Sequence, residues 1–335
     1  MKDGFVKVAA AAPVIKVADA NYNAQRVIEC MQEADRQGVK VLVFPELTLT
    51  GVSCYDLFTH RVILNGAKKA LGSVVEASRG MDMLVFVGLP FEHKSRLYSA
   101  AAVLCDGELL ALIPRQEADG HFAVPSWDAE DIELCGQTVT LAQDALFACS
   151  ALPDLQVAVE LGADMDAIVT PAARHAQAGA TVIAQMAAFP QTVTSRDEAE
   201  LNARYESRHL AAGVVLAAPG KGESSTDRAY SGLCLVAENG VILAAREGEN
   251  SLAVSEIDVQ HMTNLRRASK RYGWDEVHSV FTWGRKAVTT RLSRKYLMHP
   301  HLPAIAEELP AYCERMLDIQ VSSLVKRMEY AGLDH

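Results

Sequence analysis

The chain has 335 residues, of which half are hydrophobic and 22% are charged, a composition typical of a globular protein with one large domain or one such domain plus an appendage. Its formal net charge is −10 and its pI is near 5.5. A surface that binds nucleic acid needs clustered lysine and arginine, so these values argue against nucleic acid as a partner.

The first apolar stretch, "VAAAAPVIKVADA" (8–20), has some features of a secretory signal. Pro13 and Lys16 interrupt it, and Asp3 adds a negative charge to the N-terminal region, which is positively charged in such signals. We therefore interpret it as a first core strand. No uncharged apolar run reaches the roughly 18 residues needed to span a bilayer, so we expect no membrane partner.

The seven cysteines are odd in number and widely scattered, and they show neither a CxxC motif nor a Cys/His metal spacing. This pattern predicts free thiols in a reducing compartment, the cytoplasm, and no metal site. The cysteines are Cys30, Cys54, Cys105, Cys135, Cys149, Cys234 and Cys313.

Short apolar runs rich in β-formers alternate with amphipathic stretches along the first 90 residues. The nearly continuous apolar runs are typical of strands in sheets that are covered on both faces, so the fold class is α/β. In the first amphipathic stretch, helical spacing of apolar residues ends at Gly38, which is placed as a helix stop. The runs are strands at 5–15, 39–51 and 83–90, and helices at 23–38 and 60–80.

Beyond residue 90, the pairs Asp106-Gly107 and Asn239-Gly240 each lie between two apolar runs and predict β-hairpins. Segments 116–134 and 190–200 are polar and are predicted to be irregular. After about residue 260 the pattern becomes basic and then helical.

The stretch "LQVAVELGADMDA" (155–167) reads as a strand that breaks into Gly162, Ala163 and Asp164. A strand that ends in an elbow of small residues often presents a reactive side chain there. Glycine has no side chain, so Gly162 presents nothing that reacts.

Three segments resemble a known family. "VFPELTLTGVSCYDLF" (43–58), "APGKGESSTDRAYSGLCLVAENGVIL" (218–243) and the segment 299–333 are similar to parts of the nitrilase, or carbon–nitrogen hydrolase, superfamily. The resemblance is to the N-terminal glutaminase domain of glutamine-dependent NAD+ synthetases. It covers nearly the whole chain and is weakest at 116–135 and 260–298.

The resemblance implies a four-layer α-β-β-α sandwich over residues 1–260. A basic irregular segment, 261–298, is expected to pack on it or on a partner, and 299–335 is expected to be a helical linker toward a synthetase domain absent from this chain. ATP and Mg would belong to that domain, so no cofactor is expected here. The expected partners are the synthetase domain, on the same or a separate polypeptide, and further copies of this chain.

In this family a glutamate acts as general base, a lysine stabilises the oxyanion, and a cysteine attacks the amide carbon of glutamine. Glu46 matches the glutamate. Arg115 occupies the lysine position after Pro114, and Gly162 occupies the cysteine position. Because no covalent intermediate can form on glycine, the resemblance implies a glutaminase domain with a degenerate active site.

The positions where the family holds glutamine are also substituted. They correspond to Val52, His121, Ala163 and Ala187, and the family's Tyr-Arg-Arg falls at Asp197, Glu198 and Ala199. Catalytic and binding positions have therefore changed together, which favours decay of the whole site over loss of a single residue.

Several alternatives stay open. Glu46 is expected to form a buried ion pair with Arg115, with residual chemistry or ligand binding as the alternative. Cys54, eight residues from Glu46 and near a predicted helix start, is the most plausible replacement nucleophile, although it resembles an ordinary family residue. The chain could also be an active amidohydrolase with an unrecognised nucleophile, or a stand-alone scaffold or ligand-sensing protein.

Overall fold

The computed structural model describes residues 1, 3–269, 278–284, 286–294, 296, 298–299, 301–303 and 305–333. The chain divides into two compact units, Met1–Leu292 and Ser293–His335. The first unit contains two β-sheets, and the second contains a long helix.

The first sheet has eight strands. In spatial order they are β14 (Ser251–Asp258), β1 (Phe5–Ala12), β2 (Val41–Val43), β3 (Leu84–His93), β4 (Arg96–Cys105), β5 (Glu108–Pro114), β7 (Gln137–Ala142) and β6 (Ala129–Leu134).

The second sheet has seven strands. In spatial order they are β13 (Val241–Arg246), β12 (Cys234–Glu238), β11 (Gly213–Ala217), β10 (Val182–Met186), β9 (Gln156–Leu161), β8 (Ala145–Cys149) and β15 (Ser279–Trp283).

The α-helices of the described residues are α1 (Ala20–Arg36), α2 (Arg61–Ala77), α3 (Pro171–Ala178), α4 (Ser195–His209), α5 (Val259–Ser269) and α6 (Leu309–Ala331). The first helix shows how local sequence sets its ends. The carboxylate of Asp19 accepts the backbone N–H of Tyr22 at 3.0 Å, and Gly38, with φ +73°, follows its last turn.

Strand β1 shows why the layers stack in this order. Val6, Val8 and Ala10 point into the core between the two sheets, whereas Ala9 and Ala11 point to the opposite face, under α1 and α2. Successive side chains of a strand alternate between faces, so a continuous apolar run fills both cores. The helices α3 and α4 cover the outer face of the second sheet. The predicted four-layer α-β-β-α sandwich is confirmed.

The two predicted hairpins are present, since β4–β5 turn at Asp106-Gly107 and β12–β13 turn at Asn239-Gly240. The polar segments 116–134 and 190–200 are less irregular than predicted. They contain β6 and the start of α4. Strand β6 lies at a sheet edge and buries only Leu134, and α4 buries only three small residues, so neither carries a strong apolar pattern.

The segment 261–298 contributes regular structure to the first unit. Helix α5 continues to Ser269, and β15 pairs in parallel with β8. The guanidinium of Arg266 is buried and donates to the carbonyls of Ala211 and Leu210, both at 3.1 Å. It therefore binds the chain where α4 ends. Residues 270–277 lie outside the described part of the chain.

The second unit, Ser293–His335, contains α6. Within the described residues of that unit, no side chain of α6 is buried. No helix in the described part of the chain is both long and apolar enough to cross a membrane.

Candidate active site

The sequence-predicted elbow is formed where β9 ends and a 3₁₀ turn, Gly162–Asp166, begins. Gly162 has φ +46°, a left-handed conformation that glycine adopts at little cost. Glu46 lies in the loop after β2, and Arg115 directly follows β5. The fold thus brings the three expected positions together from the ends of strands in both sheets.

The carboxylate of Glu46 occupies the space beside Gly162. A Cβ atom added at Gly162 would lie 2.0 Å from Oε2 and 2.9 Å from Cδ of Glu46. Contacts under about 3 Å are not tolerated by close-packed interiors, so a side chain at position 162 requires Glu46 to move. Glu46 is only 1% exposed, and the contacting atoms belong to its carboxyl group, so the shift would be one of the side chain and not of the backbone.

Glu46 and Arg115 form the buried ion pair expected from the sequence. Nη1 of Arg115 donates to Oε1 of Glu46 at 3.0 Å, and the hydroxyl of Ser99 donates to the same oxygen. Oε2 has no hydrogen-bond partner among the described residues. Burial raises the pKa of Glu46 above its ordinary value, although Arg115 and Ser99 act in the opposite direction.

Arg115 is bound on several sides by its own loop. Nε donates to the carbonyl of Glu117 at 3.0 Å, and Nη2 donates to the carbonyl of Asp119 at 3.2 Å. The guanidinium also lies over the ring of Phe122, 5.4 Å from its centroid. The planar, five-donor group is therefore used to fix the loop 116–122 as well as to pair with Glu46.

Asp164 joins this loop to the elbow. Oδ1 accepts the backbone N–H groups of Gln116 at 2.9 Å and Glu117 at 2.7 Å, and Oδ2 accepts that of Leu161 at 3.3 Å. Burial raises the pKa of Asp164 to about 7, although these three hydrogen bonds lower it. The retained Asp164 thus explains how the elbow keeps its backbone shape without a nucleophile.

A cavity of about 480 Å³ opens beside Gly162. Its polar lining includes Gln185, Tyr205, Glu206 and Arg228. The volume lies within the range of small-molecule sites. A space large enough for a small ligand is therefore still present next to the altered elbow.

The expected glutamine-holding positions are not all brought to this cavity. Ala163 lines it, and so does Ala199 from the position of the family's second arginine. Ala187 instead lies behind Glu46, where its carbonyl accepts the Glu46 N–H at 3.1 Å. Val52 and His121 are not among the lining residues, and the ring of His121 lies near that of Phe58.

Two further carboxylates lie at or behind the cavity, and the sequence reasoning gave neither of them a role. Glu206 lines the cavity, and Glu160 is fully buried behind it. The side-chain amide of Gln185 connects the two carboxylates, because it donates to Oε1 of Glu160 at 2.7 Å and also to Glu206. Burial, and then the neighbouring Glu206, raise the pKa of Glu160 to about 8. The regular strand pattern gave no signal, because Glu160 and Gln185 sit in otherwise apolar strands.

Glu223 also has a role that was not expected from its segment, which reads as a simple turn. Its carboxylate accepts the backbone N–H of Val52 at 2.9 Å and of Ser53 at 3.1 Å. It thereby caps the 3₁₀ helix Val52–Thr59, which follows the Glu46 loop.

None of the seven cysteines lines the cavity, and all are free thiols. Cys54 is buried, and its thiol donates to the carbonyl of Thr50 at 3.1 Å. Burial raises the pKa of Cys54 to about 11, so the expected benefit of a nearby helix start is not realised. Cys149 and Cys234 are buried in the core between the two sheets.

The sequence profile described as carbon–nitrogen hydrolase matches residues 7–267 of this chain. The chain belongs to the carbon–nitrogen hydrolase family. The recognition of the nitrilase superfamily from its sequence motifs is thus confirmed.

Among curated relatives, the glutamine-dependent NAD(+) synthetase of Mycobacterium tuberculosis H37Rv is 31% identical over an alignment of 346 positions. The alignment covers 97% of this chain and 51% of that protein. The corresponding synthetase of Mycobacterium leprae is 30% identical with the same coverage. The chain therefore spans about half the length of the curated relatives it matches.

Solved structures share the fold. A glutamine-dependent NAD(+) synthetase from Cytophaga hutchinsonii superposes with a TM-score of 0.65 at 18% identity, covering 76% of this chain and 43% of that one. An amidase from Nesterenkonia sp. AN1 superposes with a TM-score of 0.60 at 16% identity, covering 81% and 97%. That amidase structure shows covalent addition of an acetamide moiety at its active-site cysteine.

Proposed function

We propose that this chain is a glutaminase-like domain of an NAD+ synthetase that no longer hydrolyses glutamine. One observation carries the proposal: the carboxylate of Glu46 fills the space that a nucleophilic side chain at position 162 requires, 2.0 Å from an added Cβ. The position has no nucleophile, and a side chain there would require the Glu46 carboxylate to shift. A covalent γ-glutamyl thioester therefore has no attachment point at this elbow.

The replacement of lysine by Arg115 supports the same proposal. Its guanidinium is bound to Glu46 and to the carbonyls of its own loop. A group fixed in this way is not directed at a developing oxyanion, and a catalytic donor has to be. Glu46 and Arg115 thus stabilise the fold as a pair instead of serving as base and oxyanion donor.

The role that fits such a domain is structural or regulatory: it binds a synthetase domain, on the same or a separate polypeptide, which then uses free ammonia or another nitrogen donor. Apolar side chains of α6, among them Leu317 and Leu324, are exposed in the unit Ser293–His335. Exposed apolar groups at such density are typical of surfaces that a partner covers. Assembly with further copies of this chain is part of the same proposal. The seven free thiols fit a reducing compartment such as the cytoplasm.

The experiment that tests this proposal is release of ammonia from glutamine by the purified 335-residue chain, with and without a thiol-blocking reagent. We expect no release above the uncatalysed rate in either case. Release that the reagent abolishes would overturn the proposal, because it would mean that one of the seven cysteines has taken over the attack. Release that resists the reagent would indicate hydrolysis by water activated directly at Glu46, and would overturn it as well.

A ligand-sensing role is the second candidate, and the cavity beside Gly162 favours it. The cavity is lined by an acidic side chain, Glu206, a basic one, Arg228, and an aromatic one, Tyr205. A small polar molecule bound there would contact the elbow without being cleaved. Saturable binding of amides or amino acids by calorimetry, weakened by Tyr205→Ala, would support this role over a purely structural one.

A further inference from the structure

A second group of ionisable side chains lies away from the elbow, at one edge of the second sheet. Asp144 directly precedes β8, and His278 directly precedes β15. These strands pair in parallel with Ser279 opposite Ala145, so Asp144 and His278 occupy neighbouring positions at the same ends of the two strands. The N–H of Ser279 donates to the carbonyl of Asp144 at 3.0 Å, which fixes that juxtaposition.

His175 approaches the same point from the helix that covers these strands. Helix α3 begins at Thr170, whose hydroxyl accepts the N–H of Ala173, and ends at Gly179 in a left-handed conformation. It packs through Ala172 and Ala176 against Leu146 of β8 and Ala158 of β9. His175 lies on this buried face and is only 1% exposed.

The two imidazoles are directed at each other. Nδ1 of His175 lies 2.9 Å from Nε2 of His278, and one ligand atom from each ring and one oxygen of Asp144 all lie within 4.8 Å of one another. Donor atoms around a tetrahedral zinc ion, bound at about 2.0–2.2 Å, are about 3.3 Å apart. The three groups therefore need only small adjustments to share one ion.

The two facing nitrogens, Nδ1 of His175 and Nε2 of His278, form a hydrogen bond only if one ring donates and the other accepts. Each neutral ring can instead offer the lone pair of its facing nitrogen to a single ion. The outer nitrogens, Nε2 of His175 and Nδ1 of His278, which are buried, would then each carry the N–H. The placement of the two facing lone pairs beside the Asp144 carboxylate is the observation that points to a cation.

Asp144 is oriented by the groups behind it. The amide of Gln116 donates to its Oδ1 at 3.0 Å, and Nη2 of Arg174 lies 3.5 Å from the same oxygen. Outer groups that hold a ligand carboxylate in this way are common around metal sites. Gln116 also follows Arg115 and donates its N–H to Asp164, so the cluster is joined to the elbow loop.

We propose that Asp144, His175 and His278 bind one divalent transition-metal ion, zinc in the first instance. Two imidazoles and one carboxylate are a ligand set that suits zinc and its neighbours in the first transition row. The fourth position of a tetrahedral ion would be taken by water or a small anion. The ion would fasten the edge strand β15 and helix α3 to β8.

The test is titration of the untagged, chelator-treated 335-residue protein with Co²⁺, a coloured probe for zinc sites, followed by displacement with Zn²⁺. We expect one equivalent to bind with visible absorption bands of tetrahedral intensity, and Zn²⁺ to remove them. We also expect Zn²⁺ to raise the thermal midpoint, because an ion that binds only the folded state stabilises it.

Asp144→Asn and His278→Ala should each weaken this binding by more than about tenfold, since loss of a ligand exceeds the effect of losing an outer-shell group. His261→Ala, which removes an exposed imidazole of α5, is the matched control and should bind normally. Circular dichroism of each variant shows that it is folded. Failure of the folded wild-type protein to bind one equivalent at micromolar Co²⁺, or binding that both ligand substitutions leave unchanged, would overturn the proposal.

Discussion

The elbow at Gly162 and the cavity beside it are neighbours, but one is filled and the other is open. At the elbow, Glu46 lies within 2.0 Å of where a Cβ would stand, whereas the cavity that Gly162 also lines has a volume of about 480 Å³. The difference shows that the Glu46 carboxylate fills the space beside Gly162 while the adjoining space stays open. The buried ion pair of Glu46 and Arg115 holds the elbow in place, whereas the cavity has a lining of both polar and apolar side chains.

The largest effect should come from breaking the charge pair that closes the elbow. Arg115→Ala leaves Glu46 buried without its cation, and removing one partner of a buried pair costs about 3–5 kcal/mol. Urea unfolding at pH 7 measures this as a lower midpoint at constant slope. Arg79→Ala, which breaks the exposed pair of Arg79 with Glu76, is the control and should change the midpoint little. Equal effects of the two substitutions would mean that the pair does not close the elbow.

A second test asks whether Glu46 is what excludes a side chain from position 162. Gly162→Ala should cost about 1–2 kcal/mol for the left-handed backbone and more for displacing Glu46. In a Glu46→Ala background the displacement is no longer needed, so the cost of Gly162→Ala should fall to the backbone contribution. The unfolding free energies of the four proteins form a double-mutant cycle. A cycle without coupling would contradict the close contact.

The pH dependence of stability tests the buried carboxyl group of Glu160, which lies behind the cavity. Because the pKa of Glu160 is raised in the folded state, its contribution to stability is fully present below the ordinary glutamate pKa and is lost as pH rises through about 8. Wild-type stability should therefore fall between about pH 5 and 8, with a slope of up to about 1.4 kcal/mol per pH unit for one proton. Glu160→Gln should reduce that slope, and Asp164, whose pKa is raised to about 7, should account for part of what remains. An unchanged slope would assign the titration to other groups.

The smallest effect is expected at Ser99, whose hydroxyl donates to the same Glu46 oxygen as Arg115. Ser99→Ala removes one hydrogen bond to a buried carboxyl and should cost about 1–2 kcal/mol in unfolding free energy. Ser73→Ala, at an exposed position of α2, is the matched control. If Ser99→Ala is as mild as Ser73→Ala, Arg115 alone holds Glu46.

Local sequence patterns predicted many of the helices, strands and turns, but they could not predict the long-range contacts. The alternation of apolar runs, the helix stop at Gly38 and the hairpin at Asp106-Gly107 are encoded within a few residues, and each is present. Strand β6 and helix α4 were missed because they lie at exposed positions, where burial does not impose an apolar period.

In the candidate site, too, some features could be predicted from the sequence and others could not. Position-by-position resemblance singled out Glu46, Arg115 and Gly162, and the charge pair followed from their chemistry. That the Glu46 carboxylate stands in the place of a side chain at 162 depends on how two sheets meet, which no sequence spacing reveals. The same holds for Asp144, His175 and His278, which are far apart in the chain and match no metal-binding motif.

The most direct test of the central claim is ammonia release from glutamine by the double variant Gly162→Cys with Arg115→Lys, confirmed to be folded. It places at positions 162 and 115 the two residues that the family resemblance expects there and leaves every other residue as it is. We expect no glutamine hydrolysis, because Glu46 still occupies the elbow and the cavity lacks the family's glutamine-holding side chains. Readily measured, thiol-sensitive turnover would contradict the account, since it would show that the site lacked only its nucleophile and lysine.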